Sequence, residues 1–187
     1  MELWQAIYAR RAVREFTAAP VERVTLERLI DAAVQAPSAV NEQPWSFTVV
    51  QDRSLLARIS SESKAHVLRH PPRKTTSYRF EGMLRDPQFD IFYGAPALIV
   101  VSSVTASEWA IENCALAAEN LMLAACAEGL GSCWIGFAQA WLGTEAGKAI
   151  LGLPTAYLPV APLIVGHPKS MPAPVVRKPP DIRWIGG

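Results

Sequence analysis

The sequence predicts an α+β domain in which a sheet is layered with helices. The chain has 187 residues, of which 50% are hydrophobic and 19% are charged, and this composition is typical of one globular domain with a sizeable core. Segments with strand character alternate loosely with helical segments, and no clean βαβ unit recurs along the chain. We therefore expect an α+β arrangement in preference to a doubly wound parallel sheet.

The first half of the chain is expected to hold three helices, a strand and a less regular region. Helices are predicted over residues 2–10 and 25–36, and the second ends before Pro37 because the residue preceding a proline avoids helical backbone. Residues 47–51 are β-branched and aromatic and predict a strand, and a further helix is expected over about 52–61. Residues 62–93 are polar, basic and proline-bearing, so we predict an irregular or partly helical excursion there.

The second half of the chain centres on a long apolar helix. Residues 97–103 predict a buried strand, and the capping-box pattern from Thr105 to Glu108 predicts a helix over about 107–128 that ends at Gly129. This helix is alanine-rich and apolar nearly all round, which indicates burial on most sides, partly by a second subunit. A short strand at 132–135, a helix at 141–151 and a strand at 157–165 are expected to follow.

The last 21 residues, 167–187, are dominated by proline and are not expected to be helical. Such a tail is either disordered or an extended arm on another surface. The apolar residues Ile182, Trp184 and Ile185 favour the arm. We therefore predict a domain over 1–166 and a C-terminal arm over 167–187 that packs on the partner in a dimer.

Charge and cysteine content favour a cytoplasmic protein that binds small molecules. The formal net charge of +1 does not indicate a nucleic-acid or membrane partner. Cys114, Cys126 and Cys133 are odd in number, form no C-x-x-C pair and have apolar neighbours, so we expect reduced, packed thiols. No signal peptide is expected at the N-terminus, and no apolar run approaches the roughly 20 residues of a membrane span.

The first motif that could carry chemistry is the arginine cluster Arg10, Arg11 and Arg14. Guanidinium groups bind phosphate through paired, charge-assisted hydrogen bonds, so the cluster is a candidate anion site. The alternative is a basic helix C-terminus that complements the helix dipole.

Two further segments could bind a flat ligand. The loop at residues 36–45 carries hydroxyl and amide side chains between two prolines, which suit a heteroaromatic edge, although simple turn chemistry is the alternative. The segment 129–137 carries glycines that let the backbone approach a ligand closely. A helix-capping glycine followed by a buried strand would explain Gly129 and Gly131 equally well, but leaves Gly136 unexplained.

The remaining candidates for direct chemistry are weak. His66 and His70 have a spacing that could bind a metal on a helix, but they lie in a basic stretch without a carboxylate, so no metal site is expected. No dinucleotide fingerprint, Walker motif or nucleophile motif is present. Anion-binding groups, amides and glycines without an evident nucleophile or base suit a bound cofactor that carries the chemistry itself.

Taken in order, these segments resemble the nitroreductase family of flavin mononucleotide (FMN) enzymes. The matching motifs lie almost end to end along the chain, at residues 10–16, 36–45, 95–101, 129–136 and 177–179. The first two read R-R-A-V-R-E-F and A-P-S-A-V-N-E-Q-P-W, and their tandem occurrence is the most specific part of the resemblance.

The resemblance implies a nitroreductase-like fold, with a mixed, mostly antiparallel sheet flanked by helices, in a homodimer with two FMN molecules at the interface. It further implies ping-pong transfer of hydride from NADH or NADPH through flavin N5 to a nitroaromatic, quinone or enal acceptor. The alternatives are a non-redox flavin-binding module, or a member that acts on flavin itself or on halogenated substrates. No side chain is expected to be catalytic in its own right.

The resemblance assigns roles by motif. Arg10 and Arg11 would hold the FMN phosphate together with Arg177 from the arm, and Arg14 would lie near the N1–C2=O side of the flavin. Ile135 and Gly136 would offer backbone N–H groups near N5. The full set of implied cofactor-binding residues is Arg10, Arg11, Ala12, Arg14, Pro37, Ser38, Ala39, Asn41, Gln43, Ile135, Gly136 and Arg177.

The chain departs from the family pattern in three places. Ala12 stands where a serine is usual, which removes one hydroxyl from the phosphate site at a cost of about 1 kcal/mol. Gly136 is a single glycine where many members have two. The excursion at 62–93, in the part of the chain that often covers the active site, matches no family motif at residue level.

Overall fold

The computed structural model describes residues 1–71 and 78–186. The helices are α1 (Leu3–Ala9), α2 (Arg23–Ala33), α3 (Arg53–Arg69), α4 (Tyr78–Arg85), α5 (Ala110–Ala127), α6 (Gly136–Leu142) and α7 (Glu145–Ile150), with a short 3-10 turn at Ala39–Asn41. The strands are β1 (Trp45–Val50), β2 (Ala97–Ser103), β3 (Gly131–Trp134) and β4 (Leu158–Gly166).

The four strands form one sheet in the order β1-β2-β4-β3, and every neighbouring pair is antiparallel. A parallel contact is added outside the strands by an isolated bridge between Ala12 and Ser132. This architecture confirms the predicted α+β class and its mostly antiparallel sheet. β2 lies inside the sheet with all of its residues buried, which explains why its sequence is apolar without interruption.

The sheet separates two apolar layers. Ala97, Ile99 and Val101 of β2 pack into the layer that contains α2 and α5, whereas Leu98 and Val100 pack into the layer that contains α3 and α6. This alternation follows from the two-residue period of a β-strand. The site described below lies where the N-terminal segment crosses the end of α5 and runs beside β3.

The excursion is more regular than its sequence indicates, since α3 continues to Arg69 instead of ending near residue 61. Two buried polar residues of α3 bind the chain that follows this helix. The Ser60 hydroxyl accepts a hydrogen bond from the Ile91 N–H at 3.1 Å, and the Lys64 ammonium donates to the carbonyls of Asp86 and Phe89. These polar residues therefore belong to a tertiary contact between α3 and the segment before β2.

Two further helix predictions are wrong. The capping box at Thr105 does not form, because the Thr105 and Ser107 hydroxyls donate to the Glu42 carboxylate and α5 begins only at Ala110. The helix predicted at 141–151 is two helices, α6 and α7, and Thr144 caps the second by accepting from the Gly147 N–H at 3.1 Å.

The three thiols behave as expected from their apolar neighbours. Cys114, Cys126 and Cys133 are buried and none forms a disulfide. Burial raises the pKa of Cys114 to about 12, so this thiol is unreactive at neutral pH. In the described part of the chain, we find no helix with the length and apolar character that crossing a membrane requires.

Candidate functional site

The arginine cluster is fixed by the way the chain leaves α1. After the helix ends at Ala9, the backbone becomes extended and runs beside β3, where the Val13 N–H donates to the Ser132 carbonyl at 3.0 Å. Val13 itself is buried. This attachment holds the three arginines next to β3 and the C-terminal end of α5.

Gly131 is the residue that permits this attachment. Its backbone is not in the left-handed region, but a Cβ built on it would lie 2.8 Å from Cβ, Cγ1 and Cγ2 of Val13. The close backbone approach, rather than helix capping, therefore explains this glycine. Gly129 does end α5 with left-handed backbone, at a φ of 77°, as a helix-capping glycine does.

We expect Gly131→Ala to lower the free energy of unfolding by about 1–3 kcal/mol, because the added methyl group forces Val13 and its neighbours apart. Urea unfolding followed by circular dichroism measures this change as a lower midpoint. Gly82→Ala is the matched control, since a Cβ there meets nothing within 4 Å and replaces a helical glycine. Equal midpoints for the two variants would contradict the packing role of Gly131.

Arg11 provides the strongest indication of an anion site. Its Nη1 atom donates to the carbonyl oxygens of Tyr8 and Arg10, which fixes the side chain. Its Nε atom is buried and has no hydrogen-bond partner among the described residues. Since buried donors are rarely left unpaired, this N–H fits an anionic acceptor such as a phosphate oxygen.

Arg10 lies beside Arg11 and is oriented from α5. Its Nε atom is 3.2 Å from Oε1 of Glu119, and its side chain is 24% exposed. Among the described residues, Glu119 is the ion-pair partner found for Arg10, and no hydrogen bond from its two terminal nitrogens is found. The guanidinium fork is therefore available for a second bidentate contact with an anion.

The charges of the cluster converge on the end of α5 and on β3. Burial raises the pKa of the Cys133 thiol, and the guanidinium groups of Arg14 and Arg10 oppose that rise. The pKa of Cys126 is raised by burial in the same way, and Arg10 and Arg11 oppose it. A positive field at this point is consistent with the anion site predicted from sequence.

A cavity of about 240 Å³ opens beside the cluster. It brings together Arg14 from the first motif with Ile135 and Gly136 from the third. The complete lining is Arg14, Ile91, Tyr93, Trp134, Ile135, Gly136 and Phe137. Flat apolar walls with one cation at the edge suit an aromatic ring system that carries negative charge.

The backbone of this cavity corrects one prediction. The Ile135 N–H donates to the Pro162 carbonyl at 2.8 Å, so it is engaged within the protein and is not available to a ligand. The Gly136 N–H begins α6 and has no partner among the described residues. Of the two predicted donors, only Gly136, which lines the cavity, keeps an N–H without a partner among the described residues.

The loop after Pro37 has strained backbone and is stabilised by contacts with residues outside the loop. Val40, Asn41 and Gln43 all have left-handed backbone, with φ between 47° and 56°, which is uncommon for residues other than glycine. Within the loop, Ser38 Oγ accepts from the Gln43 N–H, and the Gln43 amide donates to Asn41 Oδ1 at 2.8 Å. Such strain persists where the surroundings over-determine the backbone, and it is frequent at binding sites.

Two contacts from the α5 side hold this loop. Asn113 Oδ1 accepts from the Ala39 N–H at 2.9 Å, and the Glu42 carboxylate accepts from the hydroxyls before α5. None of the predicted loop residues lines the cavity beside Arg14. The structure of one chain therefore brings the first and third motifs together and leaves the amide loop apart from them.

The C-terminal arm leaves the domain after a short attachment. Phe16 and Pro168 form an isolated antiparallel bridge, and the Lys169 N–H donates to the Glu15 carbonyl. Beyond this point, residues 170–186 are exposed and form neither helix nor strand. Arg177 lies on this exposed part of the arm.

The histidines form no metal centre with other described residues. The rings of His66 and His70 lie 4.6 Å apart on α3, and burial, together with the charges of His70 and Arg69, lowers the pKa of His66. In the ranges that the structure describes, no group of three or more metal-ligating side chains comes together.

Sequence reasoning missed Tyr93, Trp134 and Phe137 in the cavity wall, and it missed the carboxylate of Glu119 beside Arg10. Glu119 could have been suspected as a charged residue in an otherwise apolar helix. Tyr93 lies in the excursion, and no sequence pattern indicates that it belongs to the site. Its role depends on a contact with Arg14, which is far away in the chain.

The comparisons with known proteins agree on one family. The model of the nitroreductase family matches residues 7–167. A protein of Methanothermobacter thermautotrophicus, named "Putative NADH dehydrogenase/NAD(P)H nitroreductase", is 28% identical over 177 residues, which span 92% of this chain and 80% of that protein. The iodotyrosine deiodinase of Haliscomenobacter hydrossis is 38% identical over 58 residues, which span 31% of this chain and 26% of that protein.

Among solved structures, the fold is similar to a nitroreductase with bound FMN from Bacteroides fragilis. The TM-score is 0.85 at 25% identity, and the similarity covers 99% of each chain. Because the family model spans most of the chain and the fold agrees over its whole length, this chain belongs to the nitroreductase family.

Proposed function

We propose that the protein is an FMN-dependent NAD(P)H oxidoreductase that acts on small, electron-poor acceptors. The observation that carries the proposal is the cavity in which Arg14, Ile135 and Gly136 meet, because these residues come from two separate motifs of the resemblance. The relatives named as nitroreductases and the FMN-bound structural neighbour support the same activity.

The residues present fit the phosphate of FMN. Arg11 has a buried N–H without a partner in the described chain, and Arg10 has a free guanidinium fork beside it. Together they would hold the phosphate, with Ala12 contributing backbone only. Glu119 takes the Nε side of Arg10, which leaves the fork to the anion.

The cavity walls fit the flavin ring. Bound here, FMN would supply the redox chemistry, which is hydride transfer at N5 from a nicotinamide to the acceptor in a ping-pong cycle. Arg14 would place a positive charge at the N1–C2=O side, which favours the reduced, negatively charged ring. Gly136 would direct its N–H toward N5, and the apolar walls would exclude water from the reacting face.

We further propose that the functional unit is a homodimer whose partner completes each site. The amide loop with Pro37, Ser38, Ala39, Asn41 and Gln43 does not line the cavity of its own chain, and Arg177 lies on an exposed arm. Apolar side chains on α1 and on the arm are left uncovered, as in Trp4 at 68% and Trp184 at 88% exposure. On α1, Leu3, Trp4, Ile7 and Tyr8 are all exposed, and apolar residues clustered in this way indicate a protein interface. The buried, unpaired thiols support a cytoplasmic location.

An anaerobic titration tests the proposed activity. The purified protein is expected to be yellow, and NADH or NADPH should bleach its absorbance near 450 nm within the time that manual mixing takes. Stopped-flow spectroscopy measures the rate, and addition of an acceptor should restore the colour. Colour that persists with both nucleotides would instead support a non-redox flavin-binding module.

An acceptor panel separates the remaining alternatives. Nitroaromatics, quinones and enals are expected to reoxidise the bleached protein. The local similarity to a deiodinase makes a halogenated phenol a necessary member of the panel, and free flavin is another. Release of halide without turnover of nitroaromatics would instead support dehalogenation as the reaction of this protein.

A further inference from the structure

We propose that Tyr93 is a positioning residue that holds the Arg14 guanidinium at the edge of the cavity, and that it sets the reduction potential of the bound flavin through Arg14. The inference rests on the proposed function, in which Arg14 lies beside the flavin. It adds a residue outside every motif of the family resemblance.

The first support is the contact itself. The Cζ atom of Arg14 lies 5.9 Å from the centroid of the Tyr93 ring, within the range of a cation–π interaction. Arg14 makes no ion pair with any described residue, so no carboxylate of this part of the chain fixes its charge. Burial raises the pKa of Tyr93, which keeps the phenol neutral at neutral pH, and the charge of Arg14 opposes that rise.

The second support is the backbone at Tyr93. Its φ is 56°, which is unusual for a bulky aromatic residue, and Gly94 follows at 68°. The Asp90 carboxylate accepts hydrogen bonds from the N–H groups of Phe92 and Gly94, both at 2.9 Å, while the Tyr93 N–H donates to the Asp90 carbonyl. The turn therefore imposes a strained conformation that directs the ring into the cavity wall.

The third support is the anchoring of this turn to the domain. The buried Lys64 and Ser60 of α3 bond to the backbone of residues 86–91, just before Tyr93. The Phe89 ring packs edge-on against the Tyr93 ring with centroids 5.6 Å apart. These contacts hold the tyrosine on a rigid part of the domain. The Arg14 guanidinium, in contrast, lies at the end of a long, flexible side chain, so the tyrosine ring can fix its position.

The test is a double-mutant cycle on the midpoint potential of the bound FMN. Tyr93→Asn removes the ring, and asparagine tolerates left-handed backbone, so the turn should survive. We expect the affinity ratio of reduced to oxidised FMN to fall about tenfold, which equals ~30 mV for a two-electron couple. In an Arg14→Gln background, the same tyrosine change should alter this affinity ratio by less than about twofold, because its effect passes through the arginine.

Two further variants complete the design. Tyr93→Phe keeps the ring and is expected to stay closer to the wild-type potential than Tyr93→Asn. Tyr157→Phe is the matched control, because Tyr157 does not line the cavity, and it should leave the potential unchanged. Potentials are measured by dye-coupled reduction at saturating FMN, and thermal melting checks that each variant is folded.

The inference is overturned if Tyr93→Asn leaves the potential of a folded, FMN-bound protein unchanged. It is also overturned if the shift is equal with and without Arg14, since Tyr93 would then act on the flavin directly. Both outcomes leave the proposed function intact. A wild-type chain that binds no FMN would overturn the proposed function and this inference together.

Discussion

Arg10→Ala is expected to give a folded, colourless protein. Each charge-assisted hydrogen bond to a phosphate is worth about 1.5–3 kcal/mol, and the free fork of Arg10 offers two of them. Their loss corresponds to at least a roughly hundredfold rise in the dissociation constant of FMN. The ratio of absorbance near 450 nm to 280 nm after gel filtration, and titration of the apoprotein with FMN, measure this loss.

The fold should tolerate the change, because the partner of Arg10 is a half-exposed carboxylate. Glu119 is 47% exposed, and pairs of this kind contribute about 0–1 kcal/mol to stability. Arg23→Ala is the matched control, since it removes an arginine whose ion pair with Glu27 lies on the exposed side of α2. Stoichiometric FMN in the Arg10 variant would refute the assignment of this residue to the phosphate.

The elements that the sequence predicts well are those whose signal is local and whose burial is strong. β2 is found over the predicted residues because a fully buried central strand reads as one unbroken apolar run. The long apolar helix is found for the same reason. The predicted start of α5 is wrong because the hydroxyl groups that should cap it have another partner. The hydroxyls of Thr105 and Ser107 donate to Glu42 in a distant loop, and no local sequence pattern reveals that contact.

The residues of the candidate site also differ in how well the sequence predicts them. The arginine cluster is evident from composition and spacing, the role of Gly136 is implied by the family resemblance, and the structure brings Arg14 and Gly136 to one cavity. Ile135 belongs to the same motif as Gly136. Its N–H donates to a carbonyl of β4, however, and this hydrogen bond is a consequence of sheet pairing. Tyr93 belongs to the site only through the turn at Asp90, so neither its type nor its spacing could have identified it.

Truncation before Pro172 is expected to convert most of the dimer to monomer at micromolar concentration. The removed arm carries Ile182, Trp184 and Ile185, which are 58%, 88% and 96% exposed in the single chain. Burying each against a partner contributes about 1.5 kcal/mol, so the three together are worth on the order of 4 kcal/mol, or about a thousandfold in the dissociation constant of the dimer. Sedimentation velocity measures the shift.

Truncation should also lower the FMN content, for two separable reasons: in the proposed dimer the arm would supply Arg177, and the partner would supply the amide loop. Arg177→Ala in the full-length chain separates these contributions, because it removes one cation and keeps the apolar contacts. This variant is expected to remain dimeric and to bind FMN about tenfold more weakly, as the loss of one charged hydrogen bond predicts. If the truncated protein keeps both its sedimentation coefficient and its flavin, the arm contacts no partner, and the uncovered face of α1 must then account for the dimer alone.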